Sequence, residues 1–412
     1  MAEGNGLLIV GGGLSTARAI KAYREAGGEG TVRLISADSF VPYHRPPLSK
    51  KYLRGEAEVA DTLVEPEAFY AEHGVEVELE TVVSTLDLEG RRVLLEAGGE
   101  RTFEKLLIAS GARPHRLEAP GSDLEGVHTL RWLDNSTAIR EAAREARQAV
   151  VVGASFVGME VAASLKQLGL EVTLVHRGEG LFERLRARQL MQFLADLYAR
   201  EGVEIVLGDE VESFGGRSKL DSVVTRRGRV IQAELAVAGI GVDPVTDWLE
   251  DTGLQLDDGV VVNERFETGA ENVWAVGDVA RFYDPIFSKH RRIEHWSNAS
   301  YAGAEVGKLI AGGEGGFDIV SAFFSEVFGV TFRVFGDVDE VDDIVFRGSL
   351  EDGKAIGFYV HDGRLAATLV VGQDDETQDR LKELIRAGAR VSDPDRLADE
   401  HAPLDEVFST EA

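Results

Sequence analysis

The stretch Leu7-Leu8-Ile9-Val10-Gly11-Gly12-Gly13-Leu14-Ser15-Thr16-Ala17 decides the fold. Its apolar run ends in three glycines, after which Ala17, Ile20 and Ala22 recur at helical spacing until Gly27-Gly28. A second apolar run, Val32-Arg33-Leu34-Ile35, follows, so the pattern predicts strand, tight turn, helix and parallel strand, one βαβ unit. The same syntax returns at Ala149-Val150-Val151-Val152, with a turn from Gly153 to Gly158, a helix through Leu168 and a strand at Val172-Thr173-Leu174-Val175.

Each turn carries chemistry. Gly11 and Gly13 let a pyrophosphate approach the backbone, and the following helix offers unpaired N–H groups and a positive dipole end. Asp38, beyond the second strand, stands where a carboxylate accepts from a ribose hydroxyl. The first turn lacks a third glycine, with Thr16 and Ala17 in its place; the second keeps Gly153 and Gly158 and has Ser155 between them. One such turn is also compatible with an ordinary βα connection. Two in one chain imply two dinucleotides, which for a redox protein means a flavin and a nicotinamide cofactor.

Outside the turns, short strands are predicted at 75–80, 92–96 and 105–109, a strand runs into the turn Val276-Gly277-Asp278, and 298–311 has helical periodicity. From about residue 313 the pattern changes to strands at 332–335, 343–346, 355–360 and 364–371 and a helix at 377–387, a separate α+β domain. The expected fold class is therefore α/β: two Rossmann-like dinucleotide-binding domains and a C-terminal α+β domain.

Composition narrows the function. The chain has 412 residues, 44% apolar, which suits two or three domains each with its own core. It has no cysteine, which excludes disulfides, thiolate-held iron–sulfur clusters, thiolate zinc sites and any redox-active dithiol. A net charge of −28 argues against non-specific nucleic-acid binding and against adhesion to anionic membranes. No apolar run approaches the ~18 residues of a membrane span, and Met1-Ala2-Glu3-Gly4-Asn5-Gly6 lacks the features of a signal peptide, so a cytoplasmic location is expected. None of the 9 histidines has metal-ligand spacing such as H-E-x-x-H, and no G-x-S-x-G occurs, so neither a metal site nor a hydrolase is expected.

The segment Pro42-Tyr43-His44-Arg45-Pro46-Pro47-Leu48-Ser49-Lys50 sharpens the reading. With Ala109-Ser110-Gly111-Ala112-Arg113-Pro114, Gly239-Ile240-Gly241-Val242, Val276-Gly277-Asp278-Val279 and Ile293-Glu294-His295-Trp296-Ser297-Asn298-Ala299, it resembles the FAD-dependent NAD(P)H:ferredoxin reductases of oxygenase systems. The run from Gly153 to Ala162 is also similar to the apoptosis-inducing-factor-like flavoprotein group. The resemblance covers nearly the whole chain, and is most specific through residue 300.

The resemblance implies a glutathione-reductase-like architecture, with a discontinuous FAD domain (1–114 and 243–316), an NAD(P) domain (115–242) and a C-terminal domain (317–412). It places Arg45 near the FAD diphosphate, Lys50 near the flavin ring and Asp278 on the ribityl chain, and it pairs Lys50 with Glu160 beside flavin N5, where a held ammonium stabilises accumulating negative charge. Trp296 opens a helix whose positive end would face the flavin N1 and C2 carbonyl, although capping by Ser297 or Asn298 would explain the same residues. Leu14, Ser15, Val82, Ala109, Gly111, Arg131, Glu294, His295 and Phe324 complete the expected FAD set. The NAD(P) set is Gly153, Ser155, Phe156, Val157, Glu160, His176, Arg177 and Gly241.

Two departures stand out. Related reductases often carry Trp-Ser-Asp-Gln near the flavin, where this chain has Phe324-Ser325-Glu326-Val327. NADH-preferring members place an acid after the second strand of the nicotinamide unit, where this chain has His176-Arg177, implying a lean toward NADPH or tolerance of it. The expected partner is a ferredoxin-type iron–sulfur protein, with Lys289, Arg291 and Arg292 as a basic docking run in a loop; a solvated loop without a partner is the plainer reading of those charges. Other readings are an NAD(P)H oxidase, a quinone, dye or ascorbate-radical reductase, or an apoptosis-inducing-factor-like redox-responsive binding flavoprotein.

Overall fold

The computed structural model describes residues 6–410; Met1 to Asn5, read above for a targeting segment, lie outside the described residues. The chain packs as two compact units. Among the described residues the first comprises 6–47, 57–113 and 242–318, and the second 48–56, 114–241 and 319–410.

In the first unit the Gly6–Val10 strand is the centre of a five-stranded parallel sheet in the order Val273–Ala275, Lys105–Ile108, Gly6–Val10, Thr31–Ile35, Val75–Glu78. The central strands are short and mostly apolar because a parallel sheet is covered on both faces; Ile9, Leu106, Leu107 and Ile108 are fully buried, while the edge strand Val75–Glu78 carries Glu76 and Glu78. The Leu14–Glu25 helix packs along the Trp296–Ile310 helix. Two glycines set that approach: a Cβ at Gly303 would lie 2.4 Å from the Ser15 carbonyl oxygen, and one at Gly307 would lie 2.3 Å from that of Ala19. An antiparallel meander, Val83–Asp87, Arg92–Leu95 and Glu100–Thr102, completes this part of the unit.

The second unit repeats the plan. Glu204–Leu207, Glu171–His176, Gln148–Val152, Leu235–Ala238 and Val127–Thr129 form a second five-stranded parallel sheet, in which the edge strand Val127–Thr129 comes first in the chain where Val273–Ala275 comes last in the other, beside the meander Val211–Gly216, Leu220–Thr225, Val230–Gln232. Residues 319–410 contribute a largely antiparallel sheet, Ala322–Val327, Val330–Gly336, Arg364–Val371, Lys354–His361, Asp343–Ser349, and the Asp375–Arg386 helix, capped by Asp374 accepting from the Thr377 amide at 2.8 Å. Among the described residues no helix is long and apolar enough to cross a membrane.

Two local expectations need correction. Residues 48–56, read as part of a continuous first segment, pack within the second unit. Side-chain hydroxyls hold them there: Ser136 donates to the Leu48 carbonyl at 2.7 Å, Ser164 to that of Ser49 at 2.6 Å, and the Tyr52 and Thr137 hydroxyls are 2.8 Å apart. The Lys289–Arg292 run is a strand, antiparallel to Ala280–Asp284, and not a loop. Arg291 pairs with the fully buried Asp284 at 2.9 Å, and Arg292 pairs with Asp258 at 3.0 Å and with Glu294. The two guanidinium groups therefore neutralise carboxylates of their own unit and form no free basic patch.

Candidate active site

In the first unit the sequence builds an anion cradle from the turn outward. Gly11 has φ +120°, and a Cβ there would lie 2.0 Å from the Ala109 carbonyl oxygen, so the turn needs glycine twice over. Thr16 Oγ1 donates to the Gly11 carbonyl at 2.6 Å and fixes the turn against its helix. The Leu14–Glu25 helix begins at Gly13 with no side-chain cap and no acid in its first turn, which leaves its amides for an anion. Arg45 approaches the same point, its Nη1 3.5 Å from where a Gly13 Cβ would stand. Helix N-terminus and guanidinium together match a dinucleotide diphosphate.

Around that cradle, Asp38 accepts from the Tyr43 hydroxyl at 2.7 Å and from the Phe40 amide at 3.3 Å, which aims its carboxylate and leaves lone pairs for a ribose. Gly277 brings the chain before Asp278 close to Ser15, with 2.9 Å between a would-be Cβ and the hydroxyl. The Trp296–Ile310 helix starts at His295, again without a side-chain bond from the N-cap residue or a first-turn acid, and neither Ser297 nor Asn298 is that N-cap residue. Asn298, 1% exposed, donates to the Ile293 carbonyl at 3.3 Å while its Oδ1 has no protein partner. Such a buried acceptor fits a polar ligand at this helix start. Trp296 Nε1 donates to His44 Nδ1 at 2.9 Å. Burial first, then the Arg18 charge, hold the His44 imidazole below its ordinary value, which keeps that acceptor unprotonated. Leu14 and Ala109 are buried, Gly111 has φ +68°, and Val82 and Trp296 keep exposed apolar surface.

Lys50, Arg131 and Phe324, expected with the flavin set, fall in the second unit. There the Phe156–Gln167 helix places Glu160 inside the protein. Lys50 Nζ lies 2.5 Å from Glu160 Oε2, with the two side chains only 10% and 8% exposed. Ser49 donates to Oε2 at 2.5 Å and Ser325 to Oε1 at 2.8 Å, so both carboxylate oxygens are fixed. Burial, and secondarily the Glu160 charge, hold the nearby Tyr198 hydroxyl above its ordinary value; it donates to the Met159 carbonyl at 2.7 Å. Sequence reading found Lys50 and Glu160 and missed the two serines. Ser325 sits in the Phe324-Ser325-Glu326-Val327 stretch, read above for its aromatic and its acid.

The nicotinamide turn of this unit is equally tight. Gly153 has φ +108°, and a Cβ on Gly158 would lie 2.0 Å from the Gly153 carbonyl oxygen, the close helix–strand approach that the third glycine serves. Ser155 is the N-cap, without a side-chain cap bond, and no acid stands in the first turn. Phe156 packs edge-to-face on Phe182 and Phe323, while Val157 is exposed. Gly241, at φ +119°, faces His115. His176 ends its strand half-buried with Arg177 exposed beside it, and burial lowers the imidazole against the raising effect of Glu183. Elsewhere Asp342, His361 and Asp362 bring potential ligand atoms within 4.8 Å of one another on a hairpin, a grouping that spacing in sequence did not show.

Two glycine turns on duplicated parallel sheets, an arginine at one of them, a buried lysine–carboxylate pair and no cysteine define an oxidoreductase that works with two dinucleotides. The chain belongs to the pyridine nucleotide-disulphide oxidoreductase family, whose pattern matches residues 6–303, and residues 322–408 match a reductase C-terminal domain. Membership makes it FAD-dependent and pyridine-nucleotide-using. It is 32% identical to the benzene 1,2-dioxygenase system ferredoxin–NAD(+) reductase subunit of Pseudomonas putida, over 96% of this chain and 95% of that one. It is 33% identical to the ferredoxin reductase component of the chlorobenzene dioxygenase of a Cupriavidus strain, over 95% and 94% of the two chains. Its structure superposes on the reductase of the covalent putidaredoxin reductase–putidaredoxin complex with a TM-score of 0.92, at 29% identity and 99% and 98% coverage.

Proposed function

We propose that this protein takes a hydride from NADH or NADPH onto FAD and passes the electrons singly to a ferredoxin-type iron–sulfur protein. The observation that carries the proposal is the duplicated, acid-free glycine turn in a chain with no sulfur couple of its own. Relatives named as ferredoxin reductases over nearly their full length support the choice of acceptor. FAD, when bound, supplies the conversion from paired to single electrons that a nicotinamide lacks.

The chain's own residues do the rest. Arg45 and the helix amides behind Gly13 neutralise the diphosphate, and Asp38 orients a ribose through its hydroxyls. Lys50 acts as the electrostatic catalytic group toward the flavin, and Glu160, held by Ser49 and Ser325, keeps its ammonium in place. A docking role for Lys289, Arg291 and Arg292 is not carried forward, because the arginines are engaged by buried and neighbouring carboxylates. The lean toward NADPH narrows to acceptance of NADPH beside NADH: Arg177 is exposed at a strand end that has no acid, where it can pair with a 2′-phosphate. A cytoplasmic location belongs to the same proposal, since nicotinamide nucleotides are intracellular reductants.

The test is cytochrome c reduction by NADH with and without added ferredoxin. Reduction that requires the ferredoxin supports the proposal. Rapid oxygen uptake or quinone reduction, unaffected by ferredoxin, would establish an oxidase or quinone reductase instead.

A further inference from the structure

We propose that Glu183 is the specificity-determining residue for the nicotinamide dinucleotide, its carboxylate replacing, from a neighbouring turn, the strand-end acid that this chain lacks. The inference rests on the proposed use of the second glycine turn by NAD(P)H. In a dinucleotide unit the group that reads the ribose 2′ position stands at the end of the second strand, roughly 20 residues beyond the glycine turn. His176 ends that strand here.

Glu183 opens a short 3₁₀ turn, Glu183–Leu185, flanked by Phe182 and Arg186 at φ 52° and 54°. Left-handed backbone at two residues other than glycine persists only where the surroundings over-determine it, and they do. The Phe182 amide donates to the Ala154 carbonyl within the glycine turn itself at 2.8 Å. Phe182 packs edge-to-face on Phe156 and Phe332, and the buried Tyr359 hydroxyl donates to the Leu185 carbonyl at 2.7 Å.

This anchoring fixes the carboxylate. Its Oε1 accepts from the amides of Glu179 at 2.5 Å and Gly180 at 2.8 Å. Its Oε2 lies 3.8 Å from His176 Nε2 and beside Gly178, where a Cβ would come within 2.2 Å of it. A full negative charge therefore stands over the residues leaving the strand end. It is placed to accept from a 2′-hydroxyl and to repel a 2′-phosphate, against the attraction of Arg177. The two opposing charges make NADPH an accepted but restrained substrate.

The experiment compares kcat/KM for NADH and NADPH, with a dye as acceptor, in wild type, Glu183→Gln and Glu183→Gln/Arg177→Ala. Glutamine keeps an oxygen for the Glu179 and Gly180 amides and sheds the charge. Its NADPH/NADH ratio is expected to rise about tenfold, the scale of one unit charge removed near a protein surface, and the added Arg177→Ala should reverse the gain. An unchanged ratio in Glu183→Gln overturns the inference. A wild type that rejects NADPH while Glu183→Gln accepts it supports the inference and removes only the reading of NADPH acceptance. Calorimetry on the wild type needs no variant: ADP-ribose should bind at least as tightly as its 2′-phosphate, and tenfold tighter binding of the phosphate overturns the role of Glu183.

Discussion

Replacing Lys50 by methionine removes the ammonium and keeps most of the side-chain volume. The Glu160 carboxylate is then left 8% exposed, with the Ser49 and Ser325 hydroxyls as its remaining donors in the cluster. Breaking a buried ion pair from one side costs about 3–5 kcal/mol, most of it the desolvation of the orphaned charge. Two hydroxyl donors offset part of that, so the expected loss lies near the lower end, about 3 kcal/mol. Glu160→Gln orphans the ammonium instead. The double variant Lys50→Met/Glu160→Gln orphans neither charge and should be more stable than the sum of the singles by at least about 1.5 kcal/mol. FAD should stay bound in all three, because Gly11, Gly13 and Arg45 belong to the other unit. Flavin reduction should slow by about ten- to a thousandfold, corresponding to roughly 1.4–4 kcal/mol of barrier. Urea unfolding of the four proteins gives the coupling, and anaerobic stopped-flow bleaching of the flavin gives the rates. Additive stabilities together with wild-type reduction rates in both single variants would show that Lys50 and Glu160 are neither coupled nor catalytic.

Three further outcomes follow from the geometry. His44, held below its ordinary value of 6.5 by burial, stays neutral at pH 7 and accepts from Trp296; its contribution to stability is complete above 6.5 and is lost as pH falls through its lower folded value. An NMR titration of His44 should give a midpoint below 6.5, and one above it would contradict the burial argument. Gly303→Ala places a Cβ 2.4 Å from the Ser15 carbonyl oxygen, a clash with backbone that should cost about 1–3 kcal/mol and reduce bound FAD, read by Tm and by flavin absorbance. Arg291→Ala leaves Asp284 buried without its guanidinium and should destabilise the protein, lowering dye and ferredoxin activities together; a stable variant with only a raised KM for ferredoxin would reinstate docking at this strand.

Both nucleotide turns were legible because local chemistry writes them. An apolar parallel strand, glycines where only glycine fits and a helix start without acids occupy contiguous residues, and the structure finds each in place. Lys50 and Glu160 were legible through resemblance alone, since residues so far apart in the chain have no local signature. What escaped was what tertiary packing decides. Ser49 and Ser325 look like any serines until two distant segments bring them to one carboxylate. Gly303 and Gly307 are ordinary helix residues until a second helix lies against them. The basic run at 289–292 read as a loop because three cations and a histidine in a row suggest solvent, yet a buried aspartate one strand away gives Arg291 its place. Glu183 escaped because an acid was sought at the strand end itself, and the chain supplies it from the next turn.

The proposed chemistry requires two dinucleotides and an external iron–sulfur acceptor. Anaerobic titration of the purified protein with NADH, followed by addition of oxidised ferredoxin, tests it in one cuvette. The expected result is a yellow protein with FAD equimolar to the chain, stoichiometric bleaching by NADH, and return of the flavin absorbance on adding ferredoxin. A folded protein that neither carries nor takes up FAD, or a bleached flavin that every ferredoxin tested leaves reduced, would contradict it.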